Sequence, residues 1–305
     1  MIKKLIYIIL LVFSICLLCI VTILFFYYHF YSSPGIKRIK DLEEIKDNYA
    51  KGIIGNKRLI IGGSDVLYAF NTSEMNKKLK IPTINYGTNV GMGLGYLLDM
   101  AKYNLKKGDQ VILCLAYSLY YKKPYDIFAY EYYRMYDQKK LKRFSYKDKV
   151  YFFLANMKLN FSYVQKKFEI TDCGAYVKIR GTKLERKKEK PLRFPEKFEE
   201  THSIRKLQEF RQYCLDNNID VKLTFPSTLY FSSYTENRYL NELYDYLKLN
   251  FNCIGKPESF LVPKGQIYNS LYHVNEIGQN RRTQSLINYL EIQEDINSDV
   301  KTDVY

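Results

Sequence analysis

The sequence predicts an α/β domain, with a parallel sheet between two layers of helices, carried behind an N-terminal transmembrane helix. Three observations lead there. From residue 58 onward, short apolar runs alternate with amphipathic stretches of helical length, the rhythm of βαβ units. Two of the runs, 58–62 and 110–116, are mostly apolar rather than alternating, as in strands covered on both faces. Leu5 to Phe30 contains no Lys, Arg, Asp or Glu, and about 20 apolar residues suffice to cross a bilayer.

The apolar run follows Lys3 and Lys4 and closes on Phe and Tyr from Phe25 to Tyr31, broken only by His29. Aromatic residues suit a membrane interface. No small-x-small cleavage site is present, so an anchor is favoured over a cleaved leader. Ile15 and Leu18 precede Cys16 and Cys19, which argues against lipidation. The competing reading is a buried core helix. Lys3 and Lys4 favour an inside N-terminus, although Lys37, Arg38 and Lys40 follow on the other side. With the N-terminus inside, one anchor places the rest on the extracytoplasmic side of a bacterial cytoplasmic membrane. The organisation is then an anchor (1–31), a stalk with a short helix (32–57), an α/β domain (58–295) with an insertion near 120–200, and a tail (296–305).

Within the domain, strands are expected at 58–62, 82–85, 110–116, 219–225 and 251–254. Helices are expected at 94–105, 203–215, 235–249 and 276–292. Residues 120–200 break this rhythm, being aromatic and basic with a Lys/Arg run at 180–190. Functional residues of such a sheet gather at the carboxyl ends of its strands.

Composition narrows the function. Apolar residues form 47% of 305, which excludes general disorder. Six cysteines are too few for a disulfide scaffold. Cys173, Cys214 and Cys253 lack metal-ligand spacing, and one disulfide among them stays open. The formal charge of +15 suits anionic lipid or glycan, or a compositional bias also visible in 31 Tyr and no Trp. Outside the membrane it does not point to nucleic acid. No Gly-Lys-Ser/Thr follows the glycines at 87–95, so no nucleotide cofactor is expected, and no metal.

Histidine is scarce: His29, His202 and His273. A histidine base outside the membrane is therefore His202 or His273. His273 stands just before the C-terminal helix. Ser64 follows Gly62 and Gly63 directly after the first strand. A serine at a strand-to-helix turn exposes its hydroxyl beside backbone N–H groups, as nucleophilic catalysis with a histidine base requires. The plainer readings are a helix N-cap for Ser64 and a loop histidine for His273. Glycines at 87–93 would let an N–H approach an oxyanion, or serve only close packing.

Gly63-Ser64-Asp65, Gly87 or Gly91, and His273 together resemble the SGNH (GDSL-type) hydrolase superfamily over about residues 57–292. The resemblance implies a flavodoxin-like three-layer sandwich with Ser64 as nucleophile and His273 as base. Tyr272-His273-Val274-Asn275-Glu276-x-Gly278 followed by Arg282-Thr283 is similar to single-anchor envelope proteins. Some of these accompany membrane-bound O-acyltransferases in polysaccharide or teichoic-acid modification. Two departures stand out. Asn269 occupies the region where the family has an aspartate before its histidine, and no carboxylate lies between Glu258 and His273. In trypsin an Asp→Asn change at that role costs about 10⁴ in rate. The family's third oxyanion block is also absent, with Ala116-Tyr117-Ser118 in its place. The expected oxyanion donors are thus Ser64, Gly87, Gly91 and Asn89. The implied function is a serine acyltransferase or esterase on acyl groups, foremost acetyl, of a cell-surface glycan. The alternative is a degenerate scaffold serving a membrane O-acyltransferase or glycan-assembly complex.

Overall fold

The computed structural model describes residues 2–162 and 169–302. They divide into two compact units, one of residues 1–37 and 127–165, the other of residues 38–126 and 166–305. The helices are α1 (Ile2–Phe30), α2 (Pro34–Lys51), α3 (Ser64–Ala69), α4 (Thr72–Lys78), α5 (Leu94–Asn104), α6 (Ser118–Tyr121), α7 (Ile127–Tyr136), α8 (Tyr146–Ser162), α9 (His202–Asp216), α10 (Arg238–Asn250) and α11 (Glu276–Thr302).

The larger unit is built on five parallel strands, which we number β1 (Arg58–Gly62), β2 (Thr83–Gly87), β3 (Gln110–Cys114), β4 (Asp220–Thr224) and β5 (Asn252–Ile254). Their order is 2-1-3-4-5, that of the flavodoxin-like doubly wound sheet. The continuous apolar runs arise from burial on both faces. Ile60 and Ile112 join a core with Val66 and Leu67 of α3, Met75 of α4 and Leu286 and Leu290 of α11. The intervening Leu59, Ile61, Val111 and Leu113 are also fully buried and point to the other face. There α5 packs on β1 and α9 on β4. The expected second strand differs most, because it continues two residues further, to Gly87.

Residues 32–57, expected as a stalk and a short helix, contain the 18-residue α2. From Arg38 this helix belongs to the larger unit, and Leu42 lies in its core. The expected insertion divides between the two units. Residues 127–165 belong to the smaller one, while Tyr176, Ile179 and Leu184 enter the core of the larger. Residues 163–168 and the end of the expected tail, 303–305, lie outside the described residues. The remainder of that tail, 296–302, continues α11. All six cysteines are free.

At the amino ends of the strands, buried charges are satisfied in place. Asp109 accepts from Lys57 Nζ (2.6 Å), Lys57 N (3.0 Å) and Lys106 N (2.9 Å). Arg58 donates to Gln110, Thr83 and Glu294, joining β1, β2, β3 and α11.

In the smaller unit, α1 is long and apolar enough to cross a membrane, and none of its residues is buried. At 1.5 Å per residue it is about 43 Å long. Its carboxyl end is capped by Arg134 of α7, which donates to the carbonyls of Tyr27 (3.1 Å), Tyr28 and Tyr31 (2.6 Å). An arginine so placed satisfies carbonyls that the helix itself leaves without partners. Glu131 holds Arg134 in a two-pronged pair (2.6 and 3.1 Å), with neither side chain exposed. Phe153 of α8 packs against Tyr27 and Tyr28, and Asn160 donates to the Tyr27 hydroxyl.

Removing one partner of a buried ion pair leaves the other charge uncompensated, at about 3–5 kcal/mol. Asp109→Ala is therefore expected to lower unfolding free energy by about that amount, read as a reduced urea midpoint.

Candidate active site

Ser64 begins α3 immediately after β1 and thus sits at the carboxyl edge of the sheet. His273 comes from a small antiparallel ladder in which His273–Val274 pairs with Ile267–Ser270. It is therefore not in an irregular loop, as the sequence suggested. The tight reversal between these strands brings Asn269 beside His273, four residues away.

Ser64 Oγ lies 2.8 Å from His273 Nε2, and His273 Nδ1 lies 2.7 Å from Asn269 Oδ1. An amide oxygen only accepts, so Nδ1 must carry the ring proton. Nε2 is then left as an acceptor for the Ser64 hydroxyl. The three side chains have the arrangement of a triad's nucleophile, base and orienting group, with a neutral amide in the third position.

The framework is held from several sides. Tyr68, one helical turn beyond Ser64, stacks flat on the His273 ring, with centroids 4.1 Å apart and planes at 7°. Gln279 of α11 donates to the carbonyls of Tyr68 (3.0 Å) and Tyr176 (2.8 Å). Arg282 reaches Thr224 Oγ1 and the Phe225 carbonyl at the end of β4. Asn275 caps α11, accepting from the N–H groups of Ile277 and Gly278. His202, the other histidine weighed as a base, begins α9.

Electrostatics favour a neutral base. Loss of hydration lowers the His273 pKa, and the positive charge of Arg38 lowers it further. Arg38 of α2 donates to the Tyr176 hydroxyl (2.7 Å), and Tyr176 meets Tyr68 edge-on. Asp65, next to Ser64, is buried with both carboxyl oxygens unbonded. Burial raises its pKa to about 7, against the opposing N–H groups of Asp65, Gly63 and Val66, which fall short of hydrogen-bond geometry. Asp65 thus does not serve His273 as the missing acid. Arg38, Lys46 and Tyr68 escaped the sequence reading. Only Tyr68 carried a signal, its i+4 spacing from Ser64 on one helix. Lys46 is wholly buried, donates to the Gly87 carbonyl, and has its pKa lowered by burial to about 7.

The expected oxyanion donors need correction. The Gly87 N–H is bonded to Asn85 Oδ1 (3.0 Å), and the Gly91 N–H to Asn89 Oδ1 (2.8 Å). Neither is free for a substrate. Gly87 serves close packing instead, because a Cβ there would come within 2.6 Å of Leu67 N and 2.8 Å of Gly63 O. A Cβ on Gly63 would meet Val90 at 2.4 Å, so segment 89–91 lies directly against the residue before Ser64. Of the expected set this leaves the Ser64 N–H and the Asn89 side-chain amide, whose oxygen accepts from Gly91. Among the described residues, no group of three or more His, Cys, Asp or Glu could hold a metal ion.

The fold and this constellation define a parallel α/β domain with a Ser–His–Asn set at the carboxyl edge of its sheet. No protein-family model matches the chain, and no curated protein matches it. Two solved structures are distantly similar. One, from Streptococcus pneumoniae and provisionally described as a platelet activating factor, is 14% identical with a TM-score of 0.41, covering 82% of this chain and 93% of its own. The other, from Chitinophaga pinensis and provisionally described as a lipase, is 10% identical with a TM-score of 0.27, covering 79% and 99%. Likenesses this distant do not bear on activity.

Two buried groups oppose each other in pH. The raised Asp65 pKa contributes stability present below the unfolded value, about 3.9, and lost as pH rises towards the folded one. The lowered His273 pKa contributes stability present above the unfolded value, about 6.5, and lost as pH falls below it. Asp65→Asn is therefore expected to be more stable than wild type at pH 8 by up to roughly 4 kcal/mol. The advantage should fade towards pH 4, as followed by denaturation midpoints across pH.

Proposed function

We propose that this protein is a membrane-anchored serine esterase or O-acyltransferase acting on acyl esters of a cell-surface glycan. α1 is the anchor, its amino end inside and the sheet domain on the extracytoplasmic face. The observation that carries the catalytic reading is the 2.8 Å contact of Ser64 Oγ with a His273 ring oriented by Asn269.

The Ser64 proton passes to His273 Nε2 as Oγ bonds to the acyl carbon. Negative charge on the carbonyl oxygen is met by the Ser64 N–H and the Asn89 amide. The intermediate collapses, and the departing alkoxide takes the proton from Nε2, leaving Ser64 acylated. Water, or a sugar hydroxyl in the transferase, then gives a proton to His273 and attacks the acyl-enzyme. Its collapse returns the proton to Ser64. Arg38 and the neutral Asn269 both leave the imidazolium poorly stabilised, so slow turnover is expected. The distinctive glycan and acyl preference rest on the resemblance described above.

A non-catalytic scaffold for a membrane acyltransferase is the second reading. It is favoured by Asn269 in place of a carboxylate and by the occupied Gly87 and Gly91 N–H groups.

A serine-directed phosphonate separates the two. Labelling of wild type but not Ser64→Ala supports the enzyme, and no labelling of wild type with an acyl donor present supports the scaffold. For the enzyme, His273→Ala should reduce ester turnover by about 10²–10⁴. Asn269→Asp should raise turnover and move the acid limb of its pH profile upward, because a carboxylate stabilises the imidazolium.

A further inference from the structure

We propose that α8 makes a second membrane contact, lying in the interface of an anionic phospholipid leaflet beside the end of α1. The proposal rests on the reading of α1 as a membrane anchor. Val150, Tyr151 and Leu154 are 44%, 66% and 58% exposed. With Lys147 and Lys158 they fall at i, i+3, i+4, i+7 and i+11, one face of a helix. The face is thus an apolar stripe with a lysine at each end. In water such a row gains nothing, and contiguous exposed apolar surface marks an interaction site.

The other side of α8 is occupied. Phe152 and Asn156 are buried, while Phe153 and Asn160 engage Tyr27 and Tyr28 at the carboxyl turn of α1. The stripe and the end of α1 belong to one compact unit. If α1 spans the bilayer, α8 therefore lies where α1 leaves the hydrocarbon, the level at which tyrosines partition.

Charge selects the lipid. The 3₁₀ turn Gln138–Arg143 carries Lys139, Lys140, Lys142 and Arg143, and α8 adds Lys147 and Lys149 against Asp148. An interfacial helix combines such a basic surround with an apolar face dipping into the acyl boundary. Lysines at the stripe's ends can bury their stems and keep their ammonium groups among headgroups.

The chain contains no tryptophan, so a single introduced Trp reports its own position. Three full-length variants, Tyr151→Trp, Phe25→Trp in α1 and Leu249→Trp on exposed α10, would be reconstituted in vesicles of phosphatidylglycerol and phosphatidylcholine. The expected result is blue-shifted emission, lost on adding brominated phospholipid, at positions 151 and 25 but not at 249. Replacing phosphatidylglycerol by phosphatidylcholine should weaken the quenching at 151 and leave 25 unchanged. Quenching at 25 with a water-like signal at 151 would overturn the proposal while the anchor stands. So would a residue-151 signal shielded from both lipid and a soluble quencher, which would indicate a protein neighbour. Equal quenching at 249 would overturn it as well, since lipid contact would then not be specific to the stripe. Absence of quenching at 25 and 151 alike would defeat the anchor reading and this proposal with it.

Discussion

The Ser64–His273 hydrogen bond joins residues 209 positions apart in the chain, and its geometry depends on how α11 is fastened. Gln279, Arg282 and Thr283 lie within two turns of that helix. They hold, in order, the carbonyls of Tyr68 and Tyr176, the end of β4, and the N–H of Asn71 beyond α3. Each tie pairs a backbone or hydroxyl group with a polar side chain of α11. Anchoring the helix and closing the hydrogen-bond accounts of α3 and β4 are therefore one event. The serine and the histidine are placed by it from opposite ends of the domain.

A second constraint is electrostatic. The site holds a histidine that burial and Arg38 keep neutral, and an aspartate that burial keeps easily protonated. Neither has a charged partner among the described residues. The local cost of burial is thus met by changing protonation state rather than by pairing. The sheet's opposite edge works differently, since Asp109 and Lys57 meet there directly in an ion pair. One domain uses pairing where it needs rigidity and lone titratable groups where its candidate chemistry lies.

Much of this could be seen in the sequence, for definite reasons. β1 and β3 were legible because strands covered on both faces are apolar throughout. Ser64, His273 and Asn269 were legible because histidine is scarce and the asparagine is near it in the chain. The burial of α2 was not, since Arg38, Glu43 and Lys46 look like a solvated surface and only the fold reveals that Glu43 and Lys46 are buried. The Glu131–Arg134 pair has the i,i+3 spacing of an ordinary surface contact and gave no hint that it caps another helix. Donor availability was equally hidden. Whether the N–H of Gly87 or Gly91 is spent depends on the side-chain rotamers of Asn85 and Asn89, which no spacing encodes.

The capping of α1 by Arg134 also bears on the order in which the protein is made. The smaller unit is contained in residues 1–37 and 127–165, so all of it has left the ribosome before β4 begins at Asp220. At that stage the sheet has three of its five strands, and neither Asn269 nor His273 exists. Domains tend to fold as units in the order of synthesis. The smaller unit can therefore mature first, and Ser64 meets His273 among the last steps. A chain cut short between residues 166 and 272 would keep the whole smaller unit and lack the histidine that Ser64 bonds.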